Sequence, residues 1–166
     1  MEIRISDICR ESSVDGQGLR YVVFVQGCTH GCKGCHNPTT HDINGGTLVN
    51  IDDIINEFKS DRLVRGITIS GGEPMLQPKQ VLEIAKRVKE LGKSVWVYSG
   101  YTWEQLVSMN NSYINEILTV IDVLVDGRFI EDLKSENCLY RGSSNQRLVD
   151  CKQSLKCGVV KQFVCR

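Results

Sequence analysis

Four extended runs punctuate the sequence with helical patterns between them, and that alternation restricts the fold more than any other feature. The runs are Tyr21–Val25, Gly66–Ser70, Val95–Tyr98 and Val120–Val125, each rich in β-branched or aromatic residues, with Ile3–Ile8 a weaker fifth. Between them, Ile51, Ile54, Ile55 and Phe58 fall on one helical face behind Asn50 as N-cap. Val81, Ile84, Ala85, Val88 and Leu91 make a second stripe, entered through Pro78 and stopped at Gly92. Thr102 and Gln105 form a capping-box pair ahead of Leu106 and Val107. Strands alternating with helices imply βαβ units, so the expected class is α/β with a mainly parallel sheet. Four or five such units are too few for a closed eight-stranded barrel, which leaves an open, partial β/α barrel in one domain.

A chain of 166 residues is long enough to bury one core, and 41% apolar with 24% charged residues is ordinary globular composition. Lys plus Arg equals Asp plus Glu at 20 each, so no global field steers the chain towards nucleic acid or anionic lipid. The longest apolar stretch near the start, Tyr21 to Val25, is far short of a membrane span, and Met-Glu-Ile-Arg lacks the pattern of a signal peptide. The expectation is a cytoplasmic protein without a membrane or nucleic-acid partner. Charge is uneven, however: residues 141–166 hold 6 basic and 1 acidic side chains, against 14 and 19 before them. That end reads either as a solvated, weakly ordered tail or as a docking surface for an acidic partner.

Eight cysteines break the ordinary picture: Cys9, Cys28, Cys32, Cys35, Cys138, Cys151, Cys157 and Cys165. In a reducing compartment, clustered cysteines bind metal or do chemistry. Cys28, Cys32 and Cys35 sit in the loop that leaves the Tyr21–Val25 strand, where α/β sheets bind ligands. A closed structural zinc site wants four ligands, in two pairs. Spacings of four and three suit wrapping around a cluster, and three thiolates on four irons leave one iron open to a small molecule. His30, His36 or His41 as a fourth ligand would instead give zinc. Cys138, Cys151, Cys157 and Cys165 lack a Cys-x-x-Cys clamp and read as free thiols, with a second metal site as the alternative; Cys9 reads as a small buried apolar residue.

The three-cysteine spacing resembles the signature of the radical S-adenosylmethionine superfamily. Ser70-Gly71-Gly72-Glu73-Pro74, one βα unit later, is similar to that superfamily's Gly-Gly-Glu-Pro motif. Asp15-Gly16-Gln17-Gly18-Leu19-Arg20, upstream, resembles the entry to the cluster loop in activating enzymes that install a glycyl radical. Gly34 before the last cysteine, Cys35-His36-Asn37-Pro38, Ser99-Gly100-Tyr101, Val125-Asp126-Gly127-Arg128-Phe129 and the Arg141–Arg147 segment extend the likeness to activators of anaerobic ribonucleoside-triphosphate reductase. It covers about residues 3 to 149, and the chain lacks the extra length and extra cysteines of other activators.

The resemblance implies a domain over residues 1–149 and a basic, cysteine-bearing C-terminal tail over 150–166. It also implies a [4Fe-4S] cluster on Cys28, Cys32 and Cys35, reduced by a donor such as flavodoxin. S-adenosylmethionine would be cleaved there to a radical that takes hydrogen from a glycine of the large reductase subunit. Gly34, Cys35 and His36 would meet the adenine end, Gly71, Gly72 and Glu73 the methionine end, with Ser99 and Asp126 as further cofactor contacts. The Arg141–Arg147 segment would line the opening for the partner. Three rivals remain: another glycyl-radical partner, a small-molecule radical enzyme, and a non-catalytic zinc or iron–sulfur electron-carrier module.

Overall fold

Alternation along each strand sorts the side chains onto two faces, and only one of those faces is covered by helices. The computed structural model describes residues 1–165. In chain order it holds β1 (Glu2–Ser12), β2 (Arg20–Val25), β3 (Thr47–Asn50), α1 (Ile51–Ser60), β4 (Gly66–Gly71), α2 (Pro78–Glu90) and β5 (Ser94–Ser99). There follow α3 (Trp103–Ser108), α4 (Ser112–Val120), β6 (Val123–Asp126), β7 (Arg147–Asp150) and α5 (Cys151–Cys157). No described helix is long and apolar enough to cross a membrane.

The strands form one sheet in the order β3-β1-β2-β4-β5-β6-β7. The expectation of a mainly parallel sheet needs correction. β2–β4, β4–β5 and β5–β6 are parallel, but β1–β2, β1–β3 and β6–β7 are antiparallel. Parallel neighbours need a long crossover, usually a helix. The short link from β1 to β2 has none, and the segment from β6 to β7 holds only one 3-10 turn, Glu131–Leu133. The fold is therefore α/β with a parallel centre and antiparallel flanks.

Local chemistry explains the helices. Asn50 caps α1 by accepting from the Asp52 amide, and Asp52 and Asp53 suit the positive end of the helix dipole. Pro78 opens α2, whose Val81, Ile84, Ala85 and Val88 are buried. Both halves of the Thr102–Gln105 capping box form in α3. The Val120–Val125 run divides: Val120 ends α4, and β6 begins at Val123. Asn111 starts α4 by capping the Tyr113 and Ile114 amides, and Ile114, Ile117 and Leu118 form its buried stripe.

Tyr21, Val23, Ile67, Ile69, Val95 and Val97 join these helix residues in the main core. Their neighbours along the strands point the other way. Trp96, Val123, Val125 and Leu148 form a smaller cluster there, with Tyr98, Tyr140 and Phe163 packed against it. Arg20 closes this face at the start of β2, fully buried and bonded to Thr68, Ser94 and the Ile67 carbonyl. Its guanidinium lies 5.6 Å from the Trp96 ring, and burial pushes its pKa down to about 10 against the opposing pull of Asp122.

Residues 150–165 fold back onto the sheet. Asp150 caps α5 through the Gln153 amide, and Cys151 and Ser154 are buried. The chain then returns along β7, with Asp150 N donating to Lys161 O and Phe163 N to Leu148 O. Apolar anchors at Cys151 and Phe163 hold what the net charge alone suggests is solvated. Arg166, the last residue of that expected tail, lies outside the described residues.

Candidate active site

The C-terminal ends of β2, β4, β5 and β6 meet at one edge of the uncovered face, and a cavity of about 650 Å³ opens there. Cys28, Cys32, Cys35 and His36 line it from the loop after β2. The Cys35 amide donates to Cys32 O, and the Asn37 amide points at Cys35 Sγ from 3.4 Å, an N–H···S contact of the kind that tunes cluster thiolates. Burial pushes the Cys28 thiol up, a preference that a bound metal reverses by deprotonating the thiol outright. Among the described residues, no group of three or more His, Cys, Asp or Glu side chains is gathered around a single ion position. A cluster asks for something else, one thiolate on each of separate irons.

Gly71 and Gly72 reach the same cavity from the end of β4. Gly71 has φ +101°, and a Cβ on it would lie 2.5 Å from the Val25 amide nitrogen; one on Gly72 would lie 2.2 Å from Gly27 O. Only glycines let this turn lie against the root of the cysteine loop. The turn is pinned there, since Gly72 N donates to Val25 O and Glu73 N to Gly27 O.

Glu73 itself is placed behind the cavity wall. It is fully buried, and its carboxyl accepts from Met75 N, Ser99 Oγ and Gly100 N, with His30 Nε2 at 2.7 Å. His30 also meets the Tyr101 ring edge-on at 4.5 Å. One carboxyl group thus ties the cysteine loop, the β4 turn and the end of β5 together. Ser99 does line the cavity, with its hydroxyl donating to Glu73 and accepting from the Tyr101 amide. Asp126 is 1% exposed and turned away from the cavity, as an acceptor for the Trp103 amide and for Arg147, the cation beside it. Gly34 is not on the cavity wall; it lies under the Glu131 carboxyl. The structure therefore brings Cys28, Cys32, Cys35, His36, Gly71, Gly72 and Ser99 together at the cavity, and leaves Gly34, Glu73 and Asp126 around it.

The segment between β6 and β7 supplies the facing wall. His36 packs against Phe129 with ring centroids 4.6 Å apart, and Lys33 pairs with Glu131. Gln146 clamps the segment by accepting from Gly142 N and Ser143 N while donating to Gly127 O. Tyr140 adopts the left-handed region at φ +59°, with its carbonyl held by the Tyr98 hydroxyl. This segment brings Cys138 and Arg141 to the cavity. Composition and spacing give no sign of that placement, because it depends on a long connection folding back. Of the remaining cysteines, Cys151 is buried, Cys157 exposed, and Cys165 partly buried on the second cluster. Cys9 is also only partly buried, contrary to the expectation of a core position.

The donor set fits an iron–sulfur cluster: three thiols on one loop share a cavity in which a further ligand has room. It also fits an anionic ligand, because Arg141 Nε is buried there without a hydrogen-bond partner.

Residues 14–149 match the family described as a 4Fe-4S single cluster domain. The anaerobic ribonucleoside-triphosphate reductase-activating protein of Escherichia coli K12 is 42% identical over 142 residues, covering 80% of this chain and 89% of that one. The protein of the same name from Haemophilus influenzae is 38% identical over 141 residues, covering 80% and 88%. The one from bacteriophage T4 is 34% identical over 142 residues, covering 81% and 86%.

Proposed function

Because this chain belongs to the anaerobic ribonucleoside-triphosphate reductase-activating proteins and to the 4Fe-4S single cluster domain family, we propose that the cavity at the strand ends is where it generates its radical. The protein is a radical S-adenosylmethionine enzyme that activates the anaerobic reductase by installing a glycyl radical, with a [4Fe-4S] cluster and S-adenosylmethionine as cofactors. When bound, the cofactor pair supplies a one-electron cleavage whose 5′-deoxyadenosyl radical takes hydrogen from the partner's glycine.

The chain's own residues hold and shield that chemistry. Cys28, Cys32 and Cys35 hold the cluster. Gly71 and Gly72 present bare backbone to the methionine end, and Cys35 and His36 present backbone to the adenine, with Gly34 shaping their loop from outside the cavity. Ser99 has a lone pair left for the ribose or the carboxylate. Glu73 acts through what it positions, fixing His30 in the cysteine loop and Gly100 at the end of β5. Asp126 does the same through Arg147 and α3. Phe129 and Tyr140 keep the wall apolar, which protects a carbon radical from quenching.

The observation that carries the reading is one cavity shared by the three-cysteine loop and the Gly71–Gly72 turn. Further parts of the reading are a sheet curved as a partial barrel, a flavodoxin-type electron donor, and work in the cytoplasm. The parallel centre of the sheet supports the first, and the one-electron requirement supports the second. The test is 5′-deoxyadenosine formation by anaerobically reconstituted protein with dithionite, followed by the glycyl-radical signal on the large reductase subunit. Cys32→Ala is expected to abolish both. Cleavage that survives in Cys32→Ala would sink the cluster assignment, and zinc without iron in the reconstituted protein would sink the whole reading.

A further inference from the structure

Cysteines line the cavity from two walls, and a cluster on the loop after β2 takes only those of one wall. Cys28, Cys32 and Cys35 stand on that loop, while Cys138 comes from the segment between β6 and β7 that faces it. Coordination strips the proton from a thiol. Among the described residues, Cys138 is then the one thiol on the cavity wall that keeps its S–H bond. That hydrogen is not spent elsewhere. The Cys9 and Cys151 thiols donate to the backbone carbonyls of Glu11 and Val149, whereas the Cys138 thiol has no hydrogen-bond partner among the described residues.

The fold holds Cys138 at the cavity. A bridge between Lys134 and Ser143 closes the loop that carries it, with Ser144 N donating to Leu133 O. Inside that loop, Cys138 N donates to Ser135 O and Arg141 N to Cys138 O, two turns in succession. Tyr140, in the second turn, has φ +59°, a conformation that L-residues adopt at a cost and that only surrounding structure sustains. The Tyr98 hydroxyl supplies that support by donating to Tyr140 O, and the Tyr140 ring meets Trp96 edge-on at 5.5 Å.

When no substrate glycine is in place, a primary carbon radical in this cavity must be met by another hydrogen, or the wall itself is damaged. An S–H bond is weaker than the methyl C–H bond of 5′-deoxyadenosine, so transfer from a thiol runs downhill. We propose that Cys138 is a sacrificial hydrogen donor that quenches the 5′-deoxyadenosyl radical while the reductase subunit is absent. The Cys138 S–H bond breaks as the C–H bond forms, which leaves 5′-deoxyadenosine and a thiyl radical on Cys138. One electron from the carrier that reduces the cluster, with one proton from water, restores the thiol. The proposal rests on the cavity being where the radical is generated.

Thiol hydrogens exchange with water and carbon-bound hydrogens do not. The experiment is therefore S-adenosylmethionine cleavage in D2O by the cluster-loaded protein with dithionite, without reductase subunit or added thiol. Mass spectrometry reads the isotope content of the 5′-deoxyadenosine. The wild type is expected to carry solvent deuterium in most of its product, and Cys138→Ala and Cys138→Ser to lose most of that label. Serine keeps the size and polarity of the side chain, but its O–H bond is too strong to donate, so equal loss in both variants separates S–H chemistry from a packing defect. Apart from turnover, S-adenosylmethionine should shield Cys138 of the cluster-loaded protein from iodoacetamide, read by peptide mass spectrometry. Full label in both variants, or an unlabelled wild-type product, overturns the proposal. Loss of the label in Tyr140→Phe alone would give the role to that phenol instead, and cleavage seen only with the reductase present would leave Cys138 no radical to quench. Failure to cleave even with the reductase, or an unshielded Cys138, would overturn the cavity reading beneath.

Discussion

At the scale of single residues, Glu73 shows how a motif can be recognised while its work is misjudged. Gly71-Gly72-Glu73-Pro74 is legible from residue types, and so is an acidic group near a cationic ligand. The sequence does not reveal that four protein groups already surround the carboxyl, because they come from His30, Ser99 and Gly100 as well as its own turn. Glu73→Gln would set an amide N–H₂ against donors on one side of that pocket. The expected cost is about 1–3 kcal/mol, read as a melting point about 2–12 °C lower in the cluster-loaded protein. An unchanged melting point would mean the carboxyl is not the tie described. Cys28, Cys32 and Cys35 were legible for the opposite reason, since their relation is local and needs no folding to be seen. The Arg141–Arg147 segment was placed at the opening by resemblance alone, and the burial of the Arg141 Nε was not legible, because a cation in a polar loop looks the same in sequence whether it is solvated or buried.

At the scale of elements, Arg147 on β7 joins Asp126 on β6 to Glu104 on α3. Its hydrogen bond holds the Glu104 carboxyl below the usual carboxylate range. The folded protein therefore takes up that proton less readily than the unfolded chain. The contribution is present above the ordinary carboxylate pKa and is lost as pH falls through the lowered one. Glu104 is 61% exposed, so solvent screening limits the pair to a few tenths of a kcal/mol. Glu104→Gln should melt slightly lower than wild type near pH 7 and converge with it as pH falls below the usual carboxylate range. A gap that widens in acid would contradict this sign. The parallel strands at the centre are legible as continuous apolar runs because they are buried on both faces. The four-residue flanking strands β3 and β7 are not, since their pairing is set by partners distant in the chain. Helix α4 escapes notice because its apolar residues run straight into those of β6.

At the scale of the whole molecule, the helices cover one face of the sheet and the cavity opens on the other. A protein substrate must then approach from the uncovered side. Adding the large reductase subunit should slow amide hydrogen exchange in residues 28–36 and 128–146 while leaving α1 and α2 unaffected. Protection confined to α1 and α2 would place the partner on the wrong face. The alternation of strands and helices predicts the layering, but not which face the helices leave to the cavity and the smaller apolar cluster.

The two walls of the cavity come from opposite ends of the chain: the cysteines follow β2, and the segment bearing Phe129 and Arg141 precedes β7. A ribosome therefore releases the thiols long before their cover exists, by an interval on the order of ten seconds at ordinary elongation rates. During synthesis the nascent loop stands exposed on every side, whereas in the finished chain its thiols are reached only through the mouth of the cavity.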